Sequence, residues 1–290
     1  MTKQKIVFII NPKSGTGKQS KVEHLIHKVL DKNLFDLTIE YTEYAKHAIE
    51  ITRKYKSNSD IIVAVGGDGS VNEIGSELIN SHVKLGIIPV GSGNGLARHL
   101  KIPLSIENAL KVISQQKHIT IDTVKINNHY FLGTAGVGFD AKVGWLFSQT
   151  KKRGFWNYFI ITLKEYFNQQ NEHYQLNIDE ENCKEDAALI TFANSNQYGN
   201  NAYISPLSVI DDGWIRMVVI KKVPLWYAPF FAWKLFTKQI HTSNFVKTYR
   251  GKEIQVLPPN NQLHIDGEPH LSDGKITLKI QPKSLKIIVP

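Results

Sequence analysis

Two stretches of the chain put acids among glycines. Residues 64–74 read AVGGDGSVNEI, with Asp68 between Gly67 and Gly69, Gly66 before them, and Ser70, Asn72 and Glu73 after. Residues 265–269 read IDGEP, with Asp266 and Glu268 on either side of Gly267. Glycine loses more freedom on folding than any other residue, so three around one acid need a reason. A glycine-rich turn into a helix supplies one. Its free N–H groups and the positive end of the helix dipole attract an anion, and the missing Cβ lets that anion come close. Asp68 cannot take the anion, being negative itself. It can hold Mg²⁺, which prefers hard oxygen ligands, or orient a hydroxyl. The chemistry implied is that of phosphate, with the amides of Gly66, Gly67 and Gly69 on phosphate oxygens. Asn72 and Glu73 open the helix and fix the loop or touch the bound nucleotide. The Asp266–Glu268 pair reads first as a hairpin turn. Beside a metal-bound phosphate, the same pair can supply a general base.

The flanking residues say which elements must carry these turns. Residues 60–65 form an apolar run rich in β-branched side chains, read as a buried parallel strand. Val71, Ile74, Leu78 and Ile79 recur at helical spacing and predict a helix over 70–80. Strands expected at 5–10, 37–41, 60–65 and 85–89 alternate with helices at 19–30, 45–56, 70–80, 94–100 and 106–114. That is the pattern of a doubly wound, mostly parallel sheet. From about residue 119 the pattern becomes short stretches at 119–126, 129–133, 173–178, 187–193, 214–220, 253–256, 262–265, 275–280 and 285–289. They predict a mostly antiparallel β domain with helical insertions at 140–168 and 225–239. The expected division is an α/β nucleotide-binding domain at 1–121 and a β-rich domain at 122–290, with the ligand in the cleft between them.

Three loops at the carboxyl ends of the first domain's strands are rich in Gly or Asn: 11–18 (NPKSGTGK), 66–70, and 91–95 (GSGNG). Ligands of open α/β sheets bind at that edge, and three such loops can cradle a string of phosphates. The first loop is not a P-loop, because Pro12 stands where its first Gly belongs and Gln19 follows Gly17-Lys18. No strand leads into G-x-G-x-x-G, so a dinucleotide fingerprint is not supported.

Composition narrows the class. The chain has 290 residues, a net charge of +9 and a pI near 9.3. Such a balance suits an anionic membrane surface or a phosphate-bearing ligand. There is no dense Lys/Arg block or nucleic-acid-binding signature, which argues against nucleic acid. Cys183 is the one cysteine, which fits a reducing compartment. The apolar run at the start is too short for a signal peptide, and the run at 223–233, interrupted by Pro224 and Pro229, is too short to span a bilayer. The expectation is a cytoplasmic protein, soluble or peripherally bound to membrane. Aromatic segments at 146–147, 155–159 and 225–233 lie beside Lys151-Lys152-Arg153 and Lys221-Lys222, the composition of an interfacial surface. Most of these aromatics are expected in the second domain's core and a minority at a lipid-entry rim.

The motifs in order resemble the diacylglycerol kinase / sphingosine kinase superfamily of lipid kinases. The resemblance rests on Asn11-Pro12 with Ser14-Gly15, GGDGS-V-NE, and Pro89-Val90-Gly91-Ser92-Gly93-Asn94. It continues through Thr134–Ala141 (TAGVGFDA), Ser205-Pro206 with Asp211-Asp212-Gly213, and Asp266-Gly267-Glu268. The GGDG core is shared with NAD kinases and phosphofructokinases, and the resemblance implies their kind of α/β fold. It implies ATP-dependent phosphorylation of a lipid hydroxyl, with Mg²⁺. By resemblance, Asn11, Thr42 and Ser92 line the nucleotide site with residues 66–70, although Thr42 also fits a helix cap. Glu268 is the implied proton acceptor with Asp266 in support, and Asp140 the implied holder of the lipid head group. The Asp212 carboxylate with the carbonyls of Val209 and Trp214 is the implied structural Mg²⁺ site, unless the turn is only a turn. The GSGNG loop is nearer to sphingosine kinases, while the compact length is nearer to bacterial diacylglycerol kinases. The substrate stays open among diacylglycerol, a sphingoid base and related lipids, and a homodimer is left open. An NAD kinase-type enzyme and a non-catalytic lipid-binding protein are the rival readings.

Overall fold

The computed structural model of the chain describes residues 3–14, 21–149, 162, 164–166 and 170–290. Two compact units emerge: Met1–Thr123 with Gly199–Asn201 and Gln281–Pro290, and Val124–Tyr198 with Ala202–Ile280.

The first unit is built on four parallel strands, β1 (Gln4–Ile10), β2 (Phe35–Tyr41), β3 (Ile61–Gly66) and β4 (Lys84–Pro89), in the order β2-β1-β3-β4. All six residues of β3 are buried. A run apolar on both faces suits a central parallel strand, and each fully buried Val or Ile contributes about 1.5–3 kcal/mol. Register brings the strand ends level: Ile10 pairs with both Tyr41 and Val65, and Gly66 with Pro89. The residues that follow each strand therefore leave the sheet at one edge. Helices α1 (Val22–Val29), α2 (His47–Tyr55), α3 (Asp68–Leu78), α4 (Gly95–His99) and α5 (Ile106–Gln115) connect them. In α3, Val71, Ile74 and Leu78 are buried at helical spacing, and Asn80 leaves it at φ 57°. The helix begins two residues before the predicted 70. Gly67 is its extended N-cap, so Asp68 is the first helical residue, where a negative charge meets the positive end of the dipole.

The second unit is a β-sandwich. One sheet runs β12 (Val246–Gly251), β11 (Ile215–Ile220), β10 (Leu189–Ala193), β7 (Thr134–Gly138), β14 (Gln262–Ile265) and β15 (Glu268–Leu271), antiparallel throughout. The other pairs the start of β16 (Ile276–Ile288) with β13 (Glu253–Leu257), then β8 (Glu172–Ile178) and β9 (Glu181–Ala187). Phe192, Val137, Met217 and Leu263 from the first meet Tyr174, Leu176, Ile254 and Leu278 from the second in one core. Strand β5 (His118–Ile126) leads into this unit and pairs with β6 (His129–Phe131).

Three expectations are corrected. The separate strands at 275–280 and 285–289 are one strand, β16, which turns through Pro282 and Lys283 (φ 48°) without ending. Strands β9, β12 and β15 were not expected, because polar side chains on their solvent faces hide the apolar alternation. The helix expected at 225–239 is a 3₁₀ turn at Leu225–Tyr227, then α7 (Ala228–Phe236), then a second 3₁₀ turn at Ile240–Thr242. Of the insertion at 140–168, α6 (Phe139–Ser148) is seen, while residues 150–161 and with them the 155–159 aromatics lie outside the described residues. So do residues 15–20, the latter part of the first Gly-rich loop.

Candidate active site

In the first unit the residues singled out for a nucleotide sit where the four parallel strands end. Asn11 follows β1, Thr42 follows β2, Gly66 closes β3, and Ser92 lies in the loop after β4. Asn11 donates through Nδ2 to Ser70 Oγ (3.3 Å) and accepts the Lys13 N–H on Oδ1 (2.9 Å), which ties the first loop to the start of α3. Thr42 is buried. It is not the cap of α2. That position belongs to Lys46 (φ 69°), whose N–H donates to Glu73 Oε1 at 3.2 Å. Glu73 thus holds the residue before α2, in a loop other than the one it was expected to fix.

The loops after β3 and β4 lie back to back through glycine. A Cβ on Gly91 would stand 2.4 Å from Gly67 Cα, and one on Gly66 2.4 Å from Ser70 Oγ. A Cβ on Gly91 is excluded by contact, so the two loops meet through main chain. Asn94 holds the second loop closed: its side chain accepts from the Gly91 N–H (3.1 Å) and donates to the Gly91 carbonyl (2.8 Å). Arg98 donates to the Gly93 carbonyl (3.0 Å) and to the side-chain carbonyls of Asn200 and Asn201 (3.4 Å each). The roles of Asn94, Arg98 and Asn200 were missed in sequence. Asn94 stood in the quoted loop but was given no role of its own. Nothing in the spacing links position 98 to 200.

A Mg²⁺ ion at Asp68 fits what is present. Among the described residues no cluster of three or more His, Cys, Asp or Glu could hold a metal by itself. Mg²⁺ in phosphate sites needs no such cluster, taking one or two carboxylates and filling its shell with phosphate oxygens and water. One acid on the first residue of α3, directly after the glycines, matches that need.

In the second unit two carboxylates are held firmly. Asp266 accepts three backbone N–H groups, from Leu132 (2.9 Å), Gly133 (2.8 Å) and Thr134 (2.9 Å). With Gly267 it forms the two-residue turn between β14 and β15, both residues at positive φ (47° and 84°). Asp-Gly suits that turn because both residues enter the left-handed region at low cost. Glu268 is the next residue and is exposed. So the pair divides: Asp266 uses its oxygens to fix the hairpin, and Glu268 points a carboxylate to solvent from the hairpin's first paired position.

Asp140, in the first turn of α6, accepts from the Tyr198 hydroxyl (2.8 Å) and lies 3.1 Å from His264 Nε2. Tyr198 in turn bonds the Thr191 hydroxyl. His264 Nδ1 is buried without a hydrogen-bond partner among the described residues. Gly136 makes room for this group, since a Cβ there would meet His264 Nε2 at 2.6 Å and Asp140 Oδ2 at 2.8 Å. Burial pushes the nearby Tyr174 phenol up, the charges of Glu172 and Asp140 adding to the effect. It stays a neutral donor and bonds Glu172 at 3.0 Å. His264 and Tyr198 were not singled out in sequence, although His264 lies two residues before Asp266 on the same strand.

The residues at Asp212 do not fit the metal expected there. Its Oδ2 accepts from Arg216 Nη2 at 2.9 Å and its Oδ1 from the Trp214 N–H at 3.1 Å. Arg250 and Lys252 lie over the Trp214 ring at 4.8 and 5.1 Å. The carboxylate already has a cation, and the added positive charges repel another. A Mg²⁺ ion on Asp212, Val209 and Trp214 would have to displace the guanidinium of Arg216.

A parallel α/β unit whose strand-end loops pack glycine on glycine is followed by a β-sandwich with an Asp-Gly-Glu hairpin anchored by Asp266. Residues 5–126 match the diacylglycerol kinase catalytic domain, and residues 133–289 the YegS C-terminal NAD kinase beta sandwich-like domain. The chain belongs to the diacylglycerol kinase family of YegS-like lipid kinases. It is 26% identical over 269 residues to a Pectobacterium atrosepticum protein named "Probable lipid kinase YegS-like", covering 90% of this chain and 89% of that one. It is 27% identical over 270 residues to a diacylglycerol kinase of Staphylococcus saprophyticus, covering 90% and 88%. The crystal structure of a Bacillus anthracis diacylglycerol kinase shares the fold with a TM-score of 0.77 at 22% identity, covering 100% and 98%.

Proposed function

We propose that this kinase transfers the γ-phosphoryl group of ATP to a lipid hydroxyl, with diacylglycerol as the substrate class. The observation that carries the reading is the cradle itself: two loops packed glycine on glycine, with Asp68 on the first residue of α3. Backbone N–H groups there hold phosphate oxygens without a side chain in the way, and the helix dipole favours the charge. Asn11, Thr42 and Ser92 line the same edge and position the nucleotide; Asn72, on the first turn and a half of α3, and Glu73 keep that edge in shape. When bound, Mg²⁺ on Asp68 and the phosphate oxygens would offset the negative charge of the transferring group. The lipid hydroxyl oxygen bonds to the γ-phosphorus, the bond from phosphorus to the β,γ-bridging oxygen breaks, and ADP leaves. The hydroxyl proton passes to Glu268, whose carboxylate is exposed while Asp266 holds its hairpin. Asp140, fixed by Tyr198 and His264, accepts a hydrogen bond from the head group. The diacylglycerol kinase of Staphylococcus saprophyticus supports that lipid over a sphingoid base. ATP places the reaction on the cytoplasmic side, and the lipid places it at a membrane.

The test is labelled ATP offered with diacylglycerol, with sphingosine and with NAD in parallel. Labelled phosphatidic acid is the expected product. Label on NAD alone, or on none of the three, would overturn the reading.

A further inference from the structure

The segment from the first 3₁₀ turn to the end of α7 carries two apolar stripes where a core-facing helix needs one. Tyr227, Phe231 and Leu235 recur every fourth residue and pack on a satellite core of Ile204, Val218, Ile220, Val223, Ile240 and Val246. Trp226, Phe230 and Trp233, at i, i+4 and i+7, lie on the other side with 80%, 47% and 49% of their surface exposed. Leu225 and Phe236 extend this second stripe and are exposed too. Phe230 and Trp233 stack on one another at 5.4 Å, which organises the stripe as a continuous patch. So here the aromatics are not mostly core, as expected from sequence; most of those at 225–233 are outside. An exposed apolar patch of this kind marks an interaction site.

The charge around the patch says what covers it. From Gly213 to Lys252 the chain has no Asp or Glu in 40 residues, and it has eight Lys or Arg. Lys221 and Lys222 precede the patch and Lys238 follows it. Lys234 alone is buried, bonded to Thr242. Tryptophan and phenylalanine with lysines at both ends and no acid is the composition of a helix that lies in the membrane interface, its rings among the acyl chains and its lysines on anionic head groups. No helix among the described residues is long and apolar enough to cross a membrane.

We propose that the stripe Trp226–Phe230–Trp233, with Lys221, Lys222 and Lys238, is a docking surface for an anionic bilayer. The inference rests on the lipid-kinase reading for its purpose, since a lipid substrate must be met at its membrane. The docking itself is measurable without turnover.

The experiment uses the full chain, wild type and the triple variant Trp226→Ser/Phe230→Ser/Trp233→Ser. It measures co-sedimentation with vesicles of phosphatidylcholine alone and with roughly a third phosphatidylglycerol added. Wild type should bind the anionic vesicles well and the neutral ones poorly. Binding should weaken as salt rises from about 0.1 M to about 1 M, which shortens the screening length from ~10 Å to ~3 Å. Losing three rings from the acyl region should lower partitioning by about a hundredfold or more. The variant should still phosphorylate a short-chain diacylglycerol in solution at the wild-type rate, which shows that it folds. Equal binding to both vesicle types that salt does not change would overturn the proposal. So would a variant that binds as wild type does, or a wild type that is a dimer by sedimentation, becomes monomeric on substitution and ignores vesicles; in that case a second copy covers the stripe. Wild type that binds anionic vesicles and phosphorylates no lipid would uphold the docking surface while removing the kinase reading.

Discussion

The two units hold their functional groups by opposite means. In the first unit the loops after β3 and β4 meet main chain to main chain: a Cβ on Gly91 would stand 2.4 Å from Gly67 Cα, and one on Gly67 3.3 Å from Gly91 Cα. In the second unit the groups are carboxylates, two of them held by other polar atoms, while Glu268 is exposed on the hairpin that Asp266 fixes. Asp266 has three N–H donors and Asp140 has a tyrosine and a histidine. A phosphate chain needs many donors in a fixed curve, which backbone supplies without rotamer freedom to lose. Hydroxyl recognition needs one atom in one place, which an anchored side chain supplies, and proton transfer needs a carboxylate carried by a fixed turn. The difference teaches where each unit is fragile: the first to added atoms, the second to lost ones.

The comparison breaks most sharply at the acids. Asp68→Asn removes the carboxylate that opens α3, and turnover should drop about a thousandfold or more, with altered Mg²⁺ dependence. Normal turnover in the folded variant would mean that the turn binds no metal-linked phosphate. Glu268→Gln should lower turnover roughly 10²–10⁴-fold with ATP affinity little changed, because a proton acceptor works in the transition state. Calorimetric titration with a non-hydrolysed ATP analogue, run beside the rate assay, separates the two effects.

Asp266 sharpens the contrast between an anchor and a base. Asp266→Ala strips the acceptor from three N–H groups and should cost about 2–4 kcal/mol in chemical denaturation. Asp266→Asn keeps an oxygen for Gly133 and Thr134 and tolerates φ 47°, so its turnover should stay within about tenfold of wild type. If Asp266→Asn is as inactive as Glu268→Gln, Asp266 is no mere anchor. Gly91→Ala tests the first unit's sensitivity to added atoms. One methyl group against the Gly67 backbone should weaken ATP binding by about tenfold while leaving charge and chemistry untouched. Tight ATP binding in that variant would show that the loops separate at little cost. The smallest expected effect is at Asp212. With Arg216 in place, adding Mg²⁺ or EDTA to the nucleotide-free protein should leave its melting temperature unchanged. Arg216→Met should make it respond to Mg²⁺. A clear Mg²⁺ shift in the unaltered protein would restore the metal to that turn.

Much of the first unit was legible because its signals are local. The run at 60–65, the glycines after it and the helical spacing of Val71, Ile74 and Leu78 all lie within twenty residues and name a strand, a turn and a helix. The second unit's frame was read as antiparallel β, yet β9, β12 and β15 were missed, because a strand such as ENCKEDA or VKTYRG shows half its residues or more to water. Register and partners were beyond reach altogether. Nothing near Asp140 says that residues 198 and 264 will meet it, nor near Arg98 that Asn200 will. The Arg216 partner was hidden for a similar reason: Asp211-Asp212-Gly213 looks the same whether the carboxylate meets an ion or the guanidinium four residues on.

The path of β16 has a consequence for how the chain is made. Its early residues pair with β13 in the second unit, and its late residues return to the first, where Ile287 joins Leu85 and Val289 donates to the Lys117 carbonyl. Synthesis therefore delivers β1 to β4 long before the segment that closes β4's open side. Until then that side presents unpaired main-chain groups, the kind of edge other chains adhere to. Contacts as far apart as Asn80 and Ser284 must wait for translation to pass residue 284, so the first unit to emerge from the ribosome is not the first to be finished. A nascent chain halted near residue 130 should bind chaperones, and release of the complete chain should end that binding.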